Sequence, residues 1–180
     1  MSLYTNIDND EAIETTLQYI NKYGICTYGL TTGDIYTLLH LLLDINIFTY
    51  KNTTYRQIRG LAMGNRLSGT LAILAMDRFE RTFIYQTLDP PLTIYARYVD
   101  DVGTVVDSHH EAHKLLTYLT SKHPTIKFEL ELPDDNDFLP ILDIQLKIND
   151  DGTLQYKLYT KPASKEITLD RKSTRLNSSH

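Results

Sequence analysis

Cysteine is almost absent from this 180-residue chain; Cys26 is the only one. A single thiol excludes an internal disulfide and a cysteine-rich zinc site, and it agrees with an intracellular compartment. Tryptophan is missing altogether. No basic region followed by an apolar run opens the chain, so no secretory leader is expected. The longest apolar stretch, Leu38 to Phe48, is broken by His40, Asp44 and Asn46. It is too short to span a bilayer, and no membrane partner is expected. A basic excess is lacking as well. Lys and Arg number 18 against 23 Asp and Glu, a net charge of −5, which speaks against a self-sufficient nucleic-acid binder.

What is present fits an ordinary globular domain, or a piece of a larger one. Hydrophobic residues make up 42%, enough to build a core. The charge is uneven: Lys51, Arg56, Arg59 and Arg66 lie in a stretch without acids, whereas 127–151 is rich in Asp and Glu. Charge alone reads both stretches as solvated faces. Asp10 to Tyr23 has helical spacing of Ile13, Leu17 and Ile20, with Gly24 as a stop. Thr31 or Thr32 can cap a second helix that buries Ile35, Leu38, Leu39 and Leu42. Ile47 to Arg59 reads as a hairpin turning at Lys51-Asn52. Leu67 to Gln86 reads as a long helix that ends before Asp89-Pro90-Pro91.

Thr93 to Tyr98 and Val102 to Val106 are β-prone and flank a tight turn. Ser108-His109-His110-Glu111 has the spacing of a capping box and opens a helix to about Ser121, which explains both histidines without a metal. Strands are expected over Ile126 to Leu132, Phe138 to Ile148 and Leu154 to Thr160, with Asp- and Asn-rich turns between them. The expected class is α+β, an antiparallel sheet with helices packed on one face. Residues 171–180 lack apolar periodicity and resemble translated library-adapter sequence, so they are set aside as a non-native tail.

Two adjacent aspartates, Asp100 and Asp101, stand at the turn between the first β-prone pair. Alone they read as a solvated turn, since Asp is a common turn residue. Their arms are largely apolar, which points to a hairpin central to its sheet and to carboxylates on a rigid support. Such a pair suits Mg²⁺ or Mn²⁺, hard cations with oxygen ligands. Two-metal phosphoryl transfer also needs a carboxylate from a second segment.

Arg97-Tyr98-Val99-Asp100-Asp101 resembles the catalytic turn of reverse transcriptases. Gln57-Ile58-Arg59-Gly60-Leu61-Ala62-Met63-Gly64-Asn65-Arg66-Leu67-Ser68 resembles that family's template- and nucleotide-facing loop with the start of its long helix. Phe138 to Asp143 resembles the primer grip. Leu158-Tyr159-Thr160-Lys161-Pro162 and Ser2-Leu3-Tyr4-Thr5-Asn6-Ile7 resemble segments of Penelope-like retroelement polymerases. The resemblance runs from about Ser2 to Asp170. It implies a partial palm over 1–170, truncated on the fingers side, and RNA-templated DNA synthesis by two-metal nucleotidyl transfer.

Carried over by resemblance, Asp100 and Asp101 would be metal ligands and catalytic. Tyr4 would exclude a 2′-hydroxyl on the incoming dNTP. Met63 and Gly64 would line the nucleotide pocket, Gln57, Arg59 and Gly60 would face the template, and Lys127 would protonate pyrophosphate. Implied partners are an RNA template, a DNA primer and dNTPs; the implied compartment is the nucleus. Asn65 and Arg66 depart from the small residue and proline that many relatives carry, and Gly69 stands where proline is common. The family's first catalytic aspartate falls two positions before Met1, with fingers upstream and thumb downstream outside this chain. The expectation is therefore a fragment inactive alone. The alternative is a non-catalytic palm remnant or a domesticated module binding nucleic acid or protein.

Overall fold

Most of the longer helices begin on a cap that their sequence provides. In a computed structural model that describes residues 3–159, α2 spans Asn9–Tyr23, with the Asp8 carboxylate accepting from the Glu11 amide and Gly24 closing the helix at φ 60°. A left-handed residue there satisfies the last carbonyls, and glycine adopts it without a Cβ penalty. Helix α3, Thr32–Asp44, starts from a full capping box between Thr31 and Asp34. Helix α5, His109–Ser121, starts from Ser108, whose hydroxyl accepts from the Glu111 amide. Helix α4, Ser68–Glu80, has no side-chain cap. Its helical path continues into a five-residue π segment, Arg81–Tyr85. A short helix α1, Leu3–Asn6, precedes them all.

The chain divides into two compact units, Met1–Leu130 and Glu131–His180. In the first, α4 is the central element, because it contributes to two apolar clusters. Leu71 and Ala72 join Ile7, Ala12, Ile13, Leu39, Leu43 and Leu61. One turn later, Met76 and Phe79 join Ile84, Leu119 and Ile126. Two hairpins belong to this unit. Strands β1 (Ile47–Tyr50) and β2 (Thr53–Arg56) pair across Lys51-Asn52. Both turn residues have positive φ, 46° and 61°, as a type I′ turn requires. Strands β3 (Tyr95–Tyr98) and β4 (Asp101–Thr104) form the second hairpin.

In the second unit, β5 (Leu139–Ile141), β6 (Ile144–Ile148) and β7 (Leu154–Leu158) make an antiparallel meander. The α+β class is as expected, but the strands lie in three small antiparallel sheets. Four expectations are corrected. On α3, Leu39 is buried but Leu38 and Leu42 are exposed, with Leu43 buried in their place. The stretch from Ile126 to Leu132 is not a strand; Ile126 and Phe128 are held by packing on the second cluster, with no partner strand among the described residues. Phe138 to Ile148 is broken by a turn at Leu142, φ 55°. The β3–β4 hairpin is a sheet of two strands, not the middle of a larger one. Residues 160–180, with the Thr160 to Pro162 segment and the presumed tail, lie outside the described residues, as does Ser2. No helix among the described residues is long and apolar enough to cross a membrane.

Candidate functional site

Antiparallel pairing sets the geometry of the carboxylate turn. Tyr98 pairs with Asp101 and Arg97 with Val102, leaving Val99 and Asp100 as a two-residue loop. Val99 has φ 57°, whereas Asp100 is not in the left-handed region. Positive φ at the first central residue alone is the pattern of a type II′ turn, where glycine is usual. A β-branched residue held there costs on the order of 1–3 kcal/mol.

Arg97 supplies the counterweight. Side chains alternate along a strand, so Tyr95 and Arg97 share the face opposite Ala96 and Tyr98. Both reach Glu80, the last residue of α4. The Arg97 Nε donates to Glu80 Oε1, Nη2 donates to Oε2 at 3.2 Å, and the Tyr95 hydroxyl donates to Oε1 at 2.8 Å. The third guanidinium nitrogen, Nη1, donates to the Val99 carbonyl at 3.0 Å. Hydrogen bonds from charged donors contribute about 1.5–3 kcal/mol, which matches the cost of the Val99 conformation. The Arg97 and Glu80 side chains are only 12% and 7% exposed, so each charge depends on the other. Burial acts to lower the Arg97 pKa, but the hydrogen bonds and negative charge of Glu80 outweigh it and raise it. Burial, then the Glu80 charge and hydrogen bond, push the Tyr95 hydroxyl well up.

Asp100 and Asp101 are exposed, and neither carboxylate makes a hydrogen bond or ion pair among the described residues. Two free neighbouring carboxylates fit a hard divalent cation that keeps several waters. Groups of three or more His, Cys, Asp or Glu able to hold a metal ion are not found among the described residues. The turn by itself offers two carboxylates, fewer than such a group.

Of the other expected site residues, Tyr4 lies on α1 and Gly60 passes against it. The Leu61 amide donates to the Tyr4 carbonyl at 2.7 Å. A Cβ on Gly60, φ 76°, would lie 2.7 Å from the Thr5 Cα and carbonyl oxygen, so only glycine lets the loop pass. Tyr4 packs against the first cluster, its hydroxyl 3.9 Å from where a Gly69 Cβ would be. Gln57 turns inward, its side-chain amide donating to the carbonyls of Arg59 and Gly60 at 2.9 and 3.1 Å. Met63 is 69% exposed, and Gly64, φ 98°, has open space at its Cβ position. Arg59 and Gly60 line a cavity of about 230 Å³ with Asp8, Asp10, His40 and Asp44. No hydrogen bond or ion pair among the described residues joins this group to Asp100 or Asp101.

Lys127 is placed elsewhere. Its ammonium donates to the carbonyls of Thr120 and His123, both at 3.3 Å, and so caps the end of α5. This is a helix-terminus contact of an exposed lysine. Glu80 and Tyr95 are the residues that sequence reasoning passes over. The available signal is Glu80 itself, four residues after Met76 and next to Phe79. It is a carboxylate on the stripe of α4 that is buried, where a charge needs a partner.

No protein-family model matches the chain, and no curated protein matches it.

Proposed function

We propose that this chain is part of the palm of an RNA-directed DNA polymerase of the Penelope-like retroelement kind, with Asp100 and Asp101 as one carboxylate arm of its metal site. The observation that supports it most is the turn: two exposed carboxylates, without a partner among the described residues, on a backbone held in a costly conformation by a buried ion pair. Strain of that kind concentrates at functional sites, whereas a merely solvated Asp-Asp turn has no need of it.

In this reading Asp100 and Asp101 would hold Mg²⁺ or Mn²⁺ through their carboxylate oxygens. When bound, the ions activate a primer hydroxyl and neutralise charge on the leaving pyrophosphate. Tyr4 stands against the sugar of a dNTP, Met63 and Gly64 line the nucleotide pocket, and Gln57 and Arg59 follow the RNA template. Lys127, whose ammonium rests on the Thr120 and His123 carbonyls, would supply a proton to the pyrophosphate. The parent polymerase would work in the nucleus on an RNA template and a DNA primer.

The exposed apolar side chains Leu38, Leu41, Ile45, Ile47 and Phe48 favour a second reading, a palm remnant that binds another protein surface. Mn²⁺ titration of the ¹⁵N-labelled chain separates the two. Selective broadening of the Asp100 and Asp101 amides, abolished by Asp100→Asn, is expected for the polymerase. Equal broadening at the acidic turns 134–137 and 149–151 would sink it. The chain alone is expected not to extend a primer. In a reading frame extended through its genomic locus, Asp100→Asn should lower RNA-templated incorporation by on the order of 10²–10³-fold, the scale for losing one group that stabilises transition-state charge.

A further inference from the structure

The Val99–Asp100 peptide has two ways to sit in a two-residue hairpin. Types I′ and II′ differ in the orientation of that central peptide, and the choice re-aims the backbone that carries Asp100. Valine does not favour the form observed, so something outside the turn must select it. The carbonyl of that peptide accepts a hydrogen bond from Arg97 Nη1 at 3.0 Å.

Arg97 is suited to the task because its guanidinium is planar and rigid. Two of its nitrogens are fixed on the two oxygens of Glu80, so the position of the third follows. Glu80 is itself immobilised by burial, by the Tyr95 hydroxyl and by its place where α4 passes into the π segment. The long helix is thereby connected to the turn through one side chain.

We infer that Glu80 and Arg97 are positioning residues, a clamp that selects the Val99–Asp100 peptide orientation and so presents Asp100 and Asp101 to a divalent cation. The inference rests on the metal-site reading of the turn. Arg97→Lys is the discriminating variant. Lysine keeps a cation beside Glu80 but lacks the rigid planar fork that reaches Glu80 and the Val99 carbonyl from separate nitrogens.

The test uses the full ¹⁵N-labelled chain, unmutated and as Arg97→Lys, titrated with Mn²⁺. The variant is expected to keep its helical circular dichroism, to lose the single sharp amide signals of Val99, Asp100 and Asp101, and to need about tenfold more Mn²⁺ for half-broadening, the scale for removing a group that orients a metal ligand. An unchanged midpoint in Arg97→Lys sinks the clamp and leaves the metal site standing. No selective broadening in the unmutated chain sinks the metal site, and the clamp with it. Should Arg97→Lys not fold, Mg²⁺ titration of the unmutated chain decides. The Arg97 Nε–H resonance is expected to shift with the midpoint of the Asp100 amide, and its failure to move overturns the clamp.

Discussion

Gly60 and Glu80 are single residues on which this architecture depends, for opposite reasons. Gly60 matters because it has no side chain. Its φ of 76° and a Cβ position 2.7 Å from Thr5 backbone atoms leave alanine no flexible neighbour to displace. Gly60→Ala is expected to destabilise the first unit by on the order of 1–3 kcal/mol, read as a drop in urea midpoint; an unchanged midpoint would mean the loop moves freely off α1. Glu80 matters because it is charged and buried. Glu80→Ala leaves the Arg97 charge without its partner and is expected to cost about 3–5 kcal/mol, in the same measurement. The sequence makes Asp100 and Asp101 conspicuous but not this support, since Glu80 and Arg97 stand far apart in the chain and nothing local announces their pairing. Gly60 is visible as a glycine, but the backbone it passes is not.

At the scale of elements, legibility followed how local the determining interaction is. Asp8, Thr31, Ser108 and Gly24 bond within a few residues of themselves, and the helices they bound were readable. Lys51-Asn52 fixed its hairpin in the same way. Ile126 to Leu132 failed because alternation reports burial, not pairing. Phe128 lies 5.6 Å from the Phe79 ring between centroids, a packing contact that needs no ladder, and strand formation depends on such context. Lys127 is part of the same segment. If its ammonium completes the end of α5, Lys127→Ala should weaken that terminus by about 0.3–1 kcal/mol. Faster amide exchange in the last turn of α5, with the Asp100 and Asp101 signals unmoved, is the expected result. A shift confined to the carboxylate turn would contradict the capping role.

For the molecule as a whole, stability against alkali follows from two tyrosines on the first unit. Burial and the hydrogen bond to Asp77 raise the Tyr19 hydroxyl to about 12, and Tyr95 is displaced in the same direction by burial and Glu80. In the unfolded chain both titrate near a pKa of about 10. Between that value and about 12 the unfolded state has released protons that the folded state retains, so fewer protons are bound on unfolding and stability falls as pH rises. Below about 10 the contribution is present in full. Tyrosines that titrate alike in both states add no slope. The growing negative charge, from a net −5 near neutrality, adds a general repulsion that substitution of two tyrosines reduces little. The urea midpoint, followed by the circular dichroism of the described helices, which lie in this unit, should therefore decline from about pH 10 upward. In Tyr19→Phe/Tyr95→Phe the decline should be shallower even if the midpoint at neutral pH is lower. An equal slope in the double variant would assign the alkaline transition to charge repulsion alone and remove these two hydroxyls from it.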